Sequence, residues 1–462
     1  MRSRHGSARD DISGALWGAV VYLTDCLPPH IRYGYVHRLT RAVLARPLAT
    51  VDRLDDHDAP AVGTPVAVTS PTTCALAADG LDIGGIGAVI EMLALGLGDH
   101  GVRPVVVCHE AGVRGARLRD AGIEVLSVSD EESAREAIRT VAPDVIQSHS
   151  APPHLEQAAL SSGVPLVPVM HNTEIHYTRT RWSAFSKLMA GSIRGIAVSE
   201  TVREFHVRHI GESTPIEVVP NGAAAVATPL PAERLRAREQ LSRVLGADIG
   251  EDVVFVTLAR YDAQKNIAGT VAAFGDAIAR STTAVRLVCA GDPSDWVEFR
   301  RADALRRAGR SSARIHLLGN SDARTLLTAA DAFVLDSFFE GWPVAATEGS
   351  AFGHPVLLAD VGGARELVAR DPRRSILIPN ATGDASLVSD RRVRSARRRS
   401  RRQPNALALQ DAVDTIARAV VVERSASAVA VPHARSDRMA LDEMLGHHAD
   451  VIRAAAGKQA GG

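Results

Sequence analysis

The sequence lacks most of the features that would mark a specialised environment. Lysine plus arginine and aspartate plus glutamate both number 53, so no net charge draws the whole chain towards nucleic acid. Only 4 of the 462 residues are cysteine, without paired or metal-ligand spacing, which indicates reduced thiols in a reducing compartment. No uncharged run reaches the length of a transmembrane helix. With 46% hydrophobic and 23% charged residues, the composition predicts an ordinary globular protein.

One N-terminal stretch, residues 12–23 (ISGALWGAVVYL), is uncharged and apolar after a basic start. Asp10 and Asp11 stand directly before it, and no small-residue cleavage site follows, so it does not match a secretory signal. We therefore expect a cytoplasmic protein. Contact of this stretch with the inner face of a membrane stays open.

Length and pattern predict two domains of α/β class, each a doubly wound parallel sheet of Rossmann-like type, facing a cleft where ligands bind. The predicted divisions are an uncertain N-terminal extension at 1–64, a first domain at 65–225, a second domain at 226–425 with a basic loop at 390–403, and a helical tail at 426–462. The extension contains two candidate short helices and an acidic, proline-containing linker.

Short apolar runs alternate with segments of helical periodicity, which is the pattern of parallel strands joined by helices. In the first domain the predicted strands are PVAVTS, PVVVCHE, IEVLSV, DVIQSHS, PLVPVMH, GIAVSE and IEVVPNG. In the second domain they are DVVFVTLAR, RLVCAG, RIHLLGN, AFVLDS, PVLLAD and SILIPN. Ligands in such sheets bind at the carboxyl ends of the strands, so residues just after each run are the candidate site.

The segment between AFVLDS and PVLLAD can form only a short helix, with Pro343 at its start and Gly353 at its end. Glu340 precedes this helix, where free N–H groups favour negative charge, and Gly341 leaves room for a ligand beside the backbone. Glu348 lies inside the helix on the stripe of Val344, Ala351 and Phe352. A carboxylate on such a stripe needs hydrogen-bond partners, which ligand hydroxyls would supply.

Two cationic residues follow the first strand of the second domain, in LARYDAQKN. Arg260 stands where the strand ends, and Lys265 lies at the start of the next helix. A guanidinium offers a planar fork and an ammonium a compact point charge, so the pair can stabilise a departing diphosphate.

These two motifs resemble the E-x7-E and R-x4-K patterns of the GT4-type retaining glycosyltransferases, also called glycosyl transferase group 1, which have the GT-B fold. The match runs roughly from Val66 to Pro379. The resemblance implies transfer of a sugar from a nucleotide-diphosphate sugar to a hydroxyl acceptor, with retention of configuration. It also implies no metal or other cofactor, and we see no persuasive D-x-D motif in either predicted sheet.

The resemblance further implies residue roles. Glu340, with the backbone of Gly341, Trp342 and Pro343, contacts the donor sugar, and Glu348 binds the ribose. Arg260 and Lys265 hold the donor phosphates, and the region of Asn320 reads the base. The glycine loop of Gly84, Gly85 and Gly87 faces the donor phosphates and the acceptor.

Histidines end two strands of the first domain, His149 in DVIQSHS and His171 in PLVPVMH. A neutral imidazole can hydrogen-bond sugar hydroxyls without repelling a developing cation, which suits His171 to a catalytic role. Backbone-satisfied histidines are the alternative, and for His149 the two interpretations stand level. Glu174 and His176 follow closely enough to help line an acceptor pocket.

Several alternatives stay open at this level. A sugar-nucleotide epimerase, a phosphorylase and a non-catalytic nucleotide-sugar binding protein would share the phosphate ligands. A nicotinamide oxidoreductase is disfavoured because the glycine loop lacks G-x-G-x-x-G spacing. The arginine-rich run DRRVRSARRRSRRQP is interpreted as a solvated loop, with attraction of anionic lipid or a polyanionic acceptor as the other option. The acceptor itself is a lipid, a polysaccharide or a small metabolite.

Overall fold

The computed structural model describes residues 16–28, 41–54, 71–82, 84–224, 226–426 and 438–457. The chain divides into two compact units that interleave along the sequence. One unit consists of 58–173, 177–224 and 436–462, and the other of 1–57, 174–176 and 225–435. Both are α/β with all-parallel sheets, as predicted.

The unit that begins at residue 58 is built on a seven-stranded sheet in the order β3-β2-β1-β4-β5-β6-β7. Its strands are β1 (Thr72–Gly80), β2 (Val102–Glu110), β3 (Val125–Ser127), β4 (Val145–His149), β5 (Leu166–Met170), β6 (Gly195–Ala197) and β7 (Ile216–Val218). The intervening helices are α1 (Gly84–Gly96), α2 (Gly112–Asp120), α3 (Glu131–Val141), α4 (Pro153–Ser161), α5 (Arg179–Ala190) and α6 (Glu200–Ile210). Helices on both faces bury every residue of β4 and β5, which places the core along these central strands.

The first strand of this sheet differs from the prediction. The run PVAVTS lies outside the described residues, and the strand that heads the structure, Thr72–Gly80, was not assigned from the sequence. β1 lies between β2 and β4 in the sheet, and its alanine-rich middle is fully buried. The other six predicted strands of this unit are present, each within a few residues of its predicted bounds.

The second unit contains a six-stranded sheet in the order β10-β9-β8-β11-β12-β13. Its strands are β8 (Val253–Leu258), β9 (Val285–Ala290), β10 (Ile315–Leu318), β11 (Ala332–Leu335), β12 (Val356–Ala359) and β13 (Ile376–Ile378), all six as predicted. The helices are α7 (Pro231–Leu245), α8 (Ile267–Arg280), α9 (Trp296–Ala308), α10 (Ala323–Ala329), α11 (Val344–Ala351), α12 (Ala364–Val368), α13 (Asp390–Arg398) and α14 (Ala406–Ala426).

The arginine-rich run is not a solvated loop, which corrects the sequence interpretation. Residues Asp390–Arg398 form α13, capped by the Ser389 hydroxyl, and Val393 and Ala396 face the core. Arg397 is only 3% exposed, and its guanidinium binds the Glu298 carboxylate with its Nε at 2.6 Å from Oε1. Arginine favours helices, and the buried acidic partner compensates the desolvation of the inward guanidinium.

Part of the N-terminal extension packs on the second unit. Residues 16–24 and 41–44 are helical, and residues 45–54 continue without regular structure. The Ala49 carbonyl accepts the Gly319 N–H at 2.8 Å, and the Val51 carbonyl accepts the Asp322 N–H at the same distance. Residues 48–52 therefore form a strap across the carboxyl end of β10.

The last helix, α15 (Arg438–Gly457), belongs to the first unit, where it packs against β1, β4 and β5. Among its buried residues are Met444, Ala449 and Ile452, which follow helical spacing. Residues 438–457 of the predicted tail are thus a returning element that completes the core of the first unit.

Candidate active site

A cluster of charged side chains lies at the carboxyl edge of the second sheet. β8 and β11 are neighbours in that sheet, so the loops that follow them emerge side by side. Lys265 follows β8, Glu340 follows β11, and Lys265 Nζ lies 2.6 Å from Glu340 Oε1. Both side chains are largely buried, at 16% and 6% exposed. Two predicted site residues 75 positions apart therefore form one ion pair.

Two residues that the sequence interpretation missed fix this pair in place. The Asp262 Oδ1 atom accepts the backbone N–H groups of Gln264 at 2.9 Å and Lys265 at 3.1 Å. The Gln264 amide then donates to the Phe339 carbonyl at 3.0 Å and to Glu340 Oε2 at 3.3 Å. The loop after β8 is thus tied to the loop after β11 on both sides of the ion pair. The signal was present in Y-D-A-Q-K, where an aspartate followed two residues later by a polar residue is typical of an Asx turn.

Arg260 lies at the edge of the same cluster. Its Nη2 atom is 3.1 Å from Asp262 Oδ2, and its side chain is 41% exposed. Asp262 therefore contacts Arg260 with one oxygen and the backbone of Lys265 with the other. An arginine held through one terminal nitrogen and partly exposed can turn its remaining N–H donors towards an anion.

Glu348 is placed differently from the prediction. The side of α11 that is buried in the protein consists of Ala346, Thr347 and Gly349, and Gly349 lies against the Phe333 ring. Glu348, with Val344, is only half-buried. The predicted stripe is therefore not the core face of the helix, and the carboxylate does not depend on a ligand to offset burial. It still lies on the helix that Glu340 precedes.

The loop before α11 is closely packed against a glycine pair. A Cβ on Gly362 would lie 2.3 Å from the Gly341 carbonyl oxygen, and one on Gly363 would lie 2.0 Å from the Trp342 ring. The Trp342 indole is buried and donates to the Thr347 hydroxyl at 2.8 Å. Pro343 caps α11, and Gly353 beyond its end has φ of 79°, as expected for a left-handed closure. The indole thus holds this loop rather than facing a ligand.

A buried polar network lies beneath the charged cluster. Asp336, which follows β11, accepts the side-chain amides of Asn266 at 2.9 Å and Asn405 at 2.7 Å. Burial raises the pKa of the Asp336 carboxyl to about 7, because desolvation outweighs the two amide hydrogen bonds. The same Asn266 amide donates to Gln403 at 2.9 Å, so residues after α13 also support the floor of the site.

The other residues predicted to contact the sugar-nucleotide donor are Asn320 and the glycine loop. Asn320 is exposed, directly after the Gly319 that the strap contacts. Gly84, with φ of 62°, and Gly85 are exposed in the first turn of α1. Gly87 is buried, and a Cβ there would lie 1.6 Å from the Leu81 carbonyl oxygen. Its lack of a side chain is required for the helix to pack on the end of β1.

Three buried histidines meet at the carboxyl end of β4 and β5 in the first unit. The Nδ1 atom of His149 lies 2.8 Å from Nε2 of His171. The third is His448 from α15, whose ring lies 6.5 Å from that of His149 between centroids, and whose Nδ1 is 3.3 Å from Gln147 Oε1. His149 thus contacts His171, and sequence reasoning missed His448 because helical spacing alone marked its helix as packing.

Burial keeps all three imidazoles neutral at physiological pH. Desolvation lowers the pKa of His171 to about 4 and that of His448 to about 3. The pKa of His149 lies well below its usual value, because of desolvation first and the two neighbouring histidines second. When two neutral imidazoles are hydrogen-bonded through one nitrogen of each ring, a single proton lies between those two nitrogens.

The direction of that shared bond follows from the far nitrogen of His149. Its Nε2 is buried and has no hydrogen-bond partner among the described residues. An orphaned buried N–H costs more than an orphaned acceptor, so we infer that His149 carries its proton on Nδ1 and donates it to His171. His171 is then protonated on Nδ1, the nitrogen that faces away from His149. It would present a hydrogen-bond donor, not a base.

The two predicted acceptor-side residues after β5 differ in exposure. Glu174 is 8% exposed, while His176 is a more open side chain. His176 Nε2 lies 3.5 Å from Glu174 Oε2. Glu174 is therefore the inward-facing member of the pair.

The described part of the chain contains neither a cluster of metal-ligating side chains nor a helix that could span a membrane. No group of three or more histidine, cysteine, aspartate or glutamate side chains there is arranged to hold a metal ion. None of the helices in these ranges is both long and apolar enough to cross a bilayer. The four cysteines are unpaired.

Two protein-family models match the chain, and together they span most of both units. The model for Glycosyltransferase Family 4 matches residues 83–224, and the model for Glycosyl transferases group 1 matches residues 239–402. The second range contains Arg260, Lys265, Glu340 and Glu348. The chain belongs to the GT4-type glycosyltransferases of group 1.

One relative of this GT4 chain is a protein of Bacillus subtilis named as a teichuronic acid biosynthesis glycosyltransferase, TuaC. The two are 25% identical over 243 residues, which is 50% of this chain and 57% of that protein. The chain therefore matches little more than half the length of this curated relative.

Solved structures show the GT-B fold that the GT4 family implies. A glycosyltransferase from Rickettsia africae superposes with a TM-score of 0.61 at 15% identity, covering 84% of this chain and 99% of that one. HepE from Anabaena, crystallised with UDP and glucose, gives a TM-score of 0.55 at 19% identity, covering 77% and 100%. At these identities the likeness concerns the fold alone.

The strap at residues 48–52 lies outside both family-model ranges.

Proposed function

We propose that this GT4 chain transfers a sugar from a nucleotide-diphosphate sugar to a hydroxyl acceptor, with retention of configuration. The observation that carries the proposal is the buried Lys265–Glu340 ion pair, fixed by Asp262 and Gln264 at the carboxyl edge of the second sheet. Strand ends are where such sheets bind ligands, and a fixed ammonium there suits a diphosphate. HepE, with the same fold, binds UDP-glucose, which supports a donor of this class.

The donor diphosphate would be held by Lys265 and Arg260. As the bond between the anomeric carbon and the phosphate oxygen breaks, negative charge develops on the departing diphosphate, and the two cations stabilise it. Glu340 holds Lys265 Nζ in a fixed position before the donor arrives, so little reorganisation is needed. Glu340 and the backbone of Gly341 would orient the sugar, and Glu348 would bind the ribose hydroxyls.

The acceptor oxygen would form the new bond to the anomeric carbon, and its proton would pass to the departing diphosphate oxygen on the same face. No protein base is required for this route. The His171 N–H, oriented by His149, would donate to a hydroxyl or carbonyl oxygen of the bound molecule. No metal or other cofactor is part of the proposal, and we propose a cytoplasmic location. The acceptor belongs to one of three classes, a lipid, a polysaccharide or a small metabolite.

A ligand screen tests the proposal. Nucleoside diphosphates and their sugars are added to the protein, and a ligand that binds only the folded state raises the melting temperature. We expect one base to be preferred and Lys265→Gln to lose most of that shift. The matched control is Lys187→Gln, an exposed lysine on α5. Absence of any nucleotide-dependent shift would contradict the donor assignment.

Turnover is then measured with the preferred donor. Loss of one preorganised cation at a developing charge costs roughly 10²–10³ in rate, so Lys265→Gln should fall by that factor while Lys187→Gln does not. Chelator should leave the rate unchanged if no metal takes part. Reactions with donor alone, with and without orthophosphate, separate a transferase from an epimerase or a phosphorylase. The anomeric configuration of the product tests retention.

A further inference from the structure

The helical segment at residues 16–24 is apolar on its exposed side as well as on its buried side. A helix on the surface of a soluble domain normally turns its apolar stripe inward. Here Leu16 and Leu23, two turns apart, are 59% and 70% exposed, and Tyr22 beside them is 57% exposed. The half-buried Trp17 and Val20 and the buried Val21 face the protein, together with Asp25, which directly follows the segment and is fully buried.

The buried Asp25 fixes the orientation of this segment. Its Oδ1 accepts from Arg397 Nη1 at 2.9 Å, its Oδ2 accepts from Arg398 Nε at 2.8 Å, and its carbonyl accepts from Arg394 Nη1 at 3.0 Å. The Arg398 guanidinium also lies 4.1 Å from the centroid of the Tyr22 ring. Because charge-assisted hydrogen bonds to a buried carboxylate are strong and directional, the apolar stripe is held outward.

The helix that receives Asp25 adds positive charge to the same surface. The outward side of α13 and the turn after it exposes Arg391, Arg392, Arg398, Arg399, Arg401 and Arg402. Residues 391 and 398, and residues 392 and 399, are two turns apart and therefore share one face. Among the described residues, the Arg399 guanidinium donates to neutral partners, the Ser395 carbonyl at 3.2 Å and the Ser395 hydroxyl at 2.7 Å.

We infer that this surface, made of the apolar stripe of residues 16–24 and the exposed arginines of 391–402, docks on an anionic phospholipid bilayer. An interfacial helix inserts apolar side chains between headgroups, while flanking arginines bind phosphate and are attracted by negative surface potential. Asp25 ties the segment to α13, so the segment would lie along the interface beside the arginines. A uniformly apolar partner would match Leu16 and Leu23 but would offer no counter-charge to Arg399 and Arg402. This inference does not depend on the proposed sugar transfer.

Vesicle co-sedimentation of the full chain tests the docking. We expect binding to vesicles of phosphatidylcholine mixed with phosphatidylglycerol, and little binding to phosphatidylcholine alone. Raising the salt from about 0.1 M to about 0.5 M should weaken binding several-fold, because the screening length shortens. Leu16→Ser/Leu23→Ser and Arg399→Glu/Arg402→Glu should each lower the partition coefficient about ten-fold or more.

Two matched controls keep the test specific. Val422→Ser changes an exposed apolar residue on α14, and Arg418→Glu reverses an exposed arginine on the same helix; both should bind vesicles like the unmodified chain. Turnover on a water-soluble acceptor should be unchanged in all variants. Equal binding to neutral and anionic vesicles, no binding, or undiminished binding by both double variants would overturn the inference. Self-association that requires Leu16 and Leu23, without lipid binding, would assign the surface to a second copy and also overturn it.

Discussion

Acidification should destabilise the unit that contains the three buried histidines. An imidazole with a folded pKa of about 4 and an ordinary unfolded value near 6.5 binds protons more readily when unfolded, so its contribution to stability is lost as pH falls through 6.5. Between about pH 7.5 and about pH 5, each such group lowers the free energy of unfolding by roughly 2 kcal/mol. His171 and His448 together give roughly 4 kcal/mol, and His149 adds a loss in the same direction.

The perturbation that isolates this effect is His448→Gln. Glutamine can keep a hydrogen bond to Gln147 but does not titrate, so the variant should lose roughly 2 kcal/mol less than the unmodified protein over the same pH interval. Because the chain has two compact units, a single melting curve does not report on one of them. Native-state hydrogen exchange of peptides from β4 and β5 gives the opening free energy of the relevant unit.

A matched substitution in the other unit serves as the control. Burial lowers the pKa of His354 to about 4, and its Nε2 lies 2.7 Å from the Leu327 carbonyl. His354→Gln should therefore leave the pH dependence of β4 and β5 peptides unchanged. An unmodified protein whose β4 and β5 peptides are equally protected at both pH values would refute the reasoning. So would a His448→Gln variant with the full pH-dependent loss.

Three further outcomes are expected. Glu348→Ala should mainly weaken nucleotide binding, measured by calorimetry, with the fold intact; unchanged affinity would reassign the carboxylate to structure. In the unmodified protein, the free energy of unfolding should fall by roughly 2–3 kcal/mol between about pH 5 and about pH 8, because the folded pKa of about 7 for Asp336 favours the protonated form and stability is lost as pH rises. Asp336→Asn should remove this fall. Native-state hydrogen exchange of β11 peptides at several pH values would show this. The same pH dependence in the variant and in the unmodified protein would contradict it. Gly87→Ala should destabilise the first unit by roughly 1–3 kcal/mol, because its Cβ would overlap the Leu81 carbonyl; unaltered hydrogen-exchange protection of β1 peptides would refute the packing role.

Local patterns predicted most of the fold because buried parallel strands are short apolar runs with clear flanks. β1 was not predicted because alanine and cysteine have little strand preference. Small side chains nevertheless suit a central strand that is covered on both faces. Helix α13 was not predicted for a different reason. Its inward guanidinium is compensated by Asp25 and Glu298, which are distant in sequence, so no window around residue 397 contains the explanation.

The candidate site was predictable to a similar degree. Strand-end position identified Arg260, Lys265, Glu340 and His171 as candidates, because the carboxyl ends of parallel strands gather side chains. The sequence could not show that Lys265 and Glu340 bond directly, or that Gln264 bridges the two loops. No local pattern indicated that His448 joins the two histidines, since its contact with Gln147 spans 301 positions.

The interleaving of the two units has a consequence for how the chain matures. In chain order β4 and β5 precede all six strands of the second sheet, and α15, which covers their polar end, follows all six. Until the ribosome has released α15, the His149–His171 pair lacks this cover. A nascent chain would therefore hold its first sheet open to water, and to chaperones, throughout synthesis of the second.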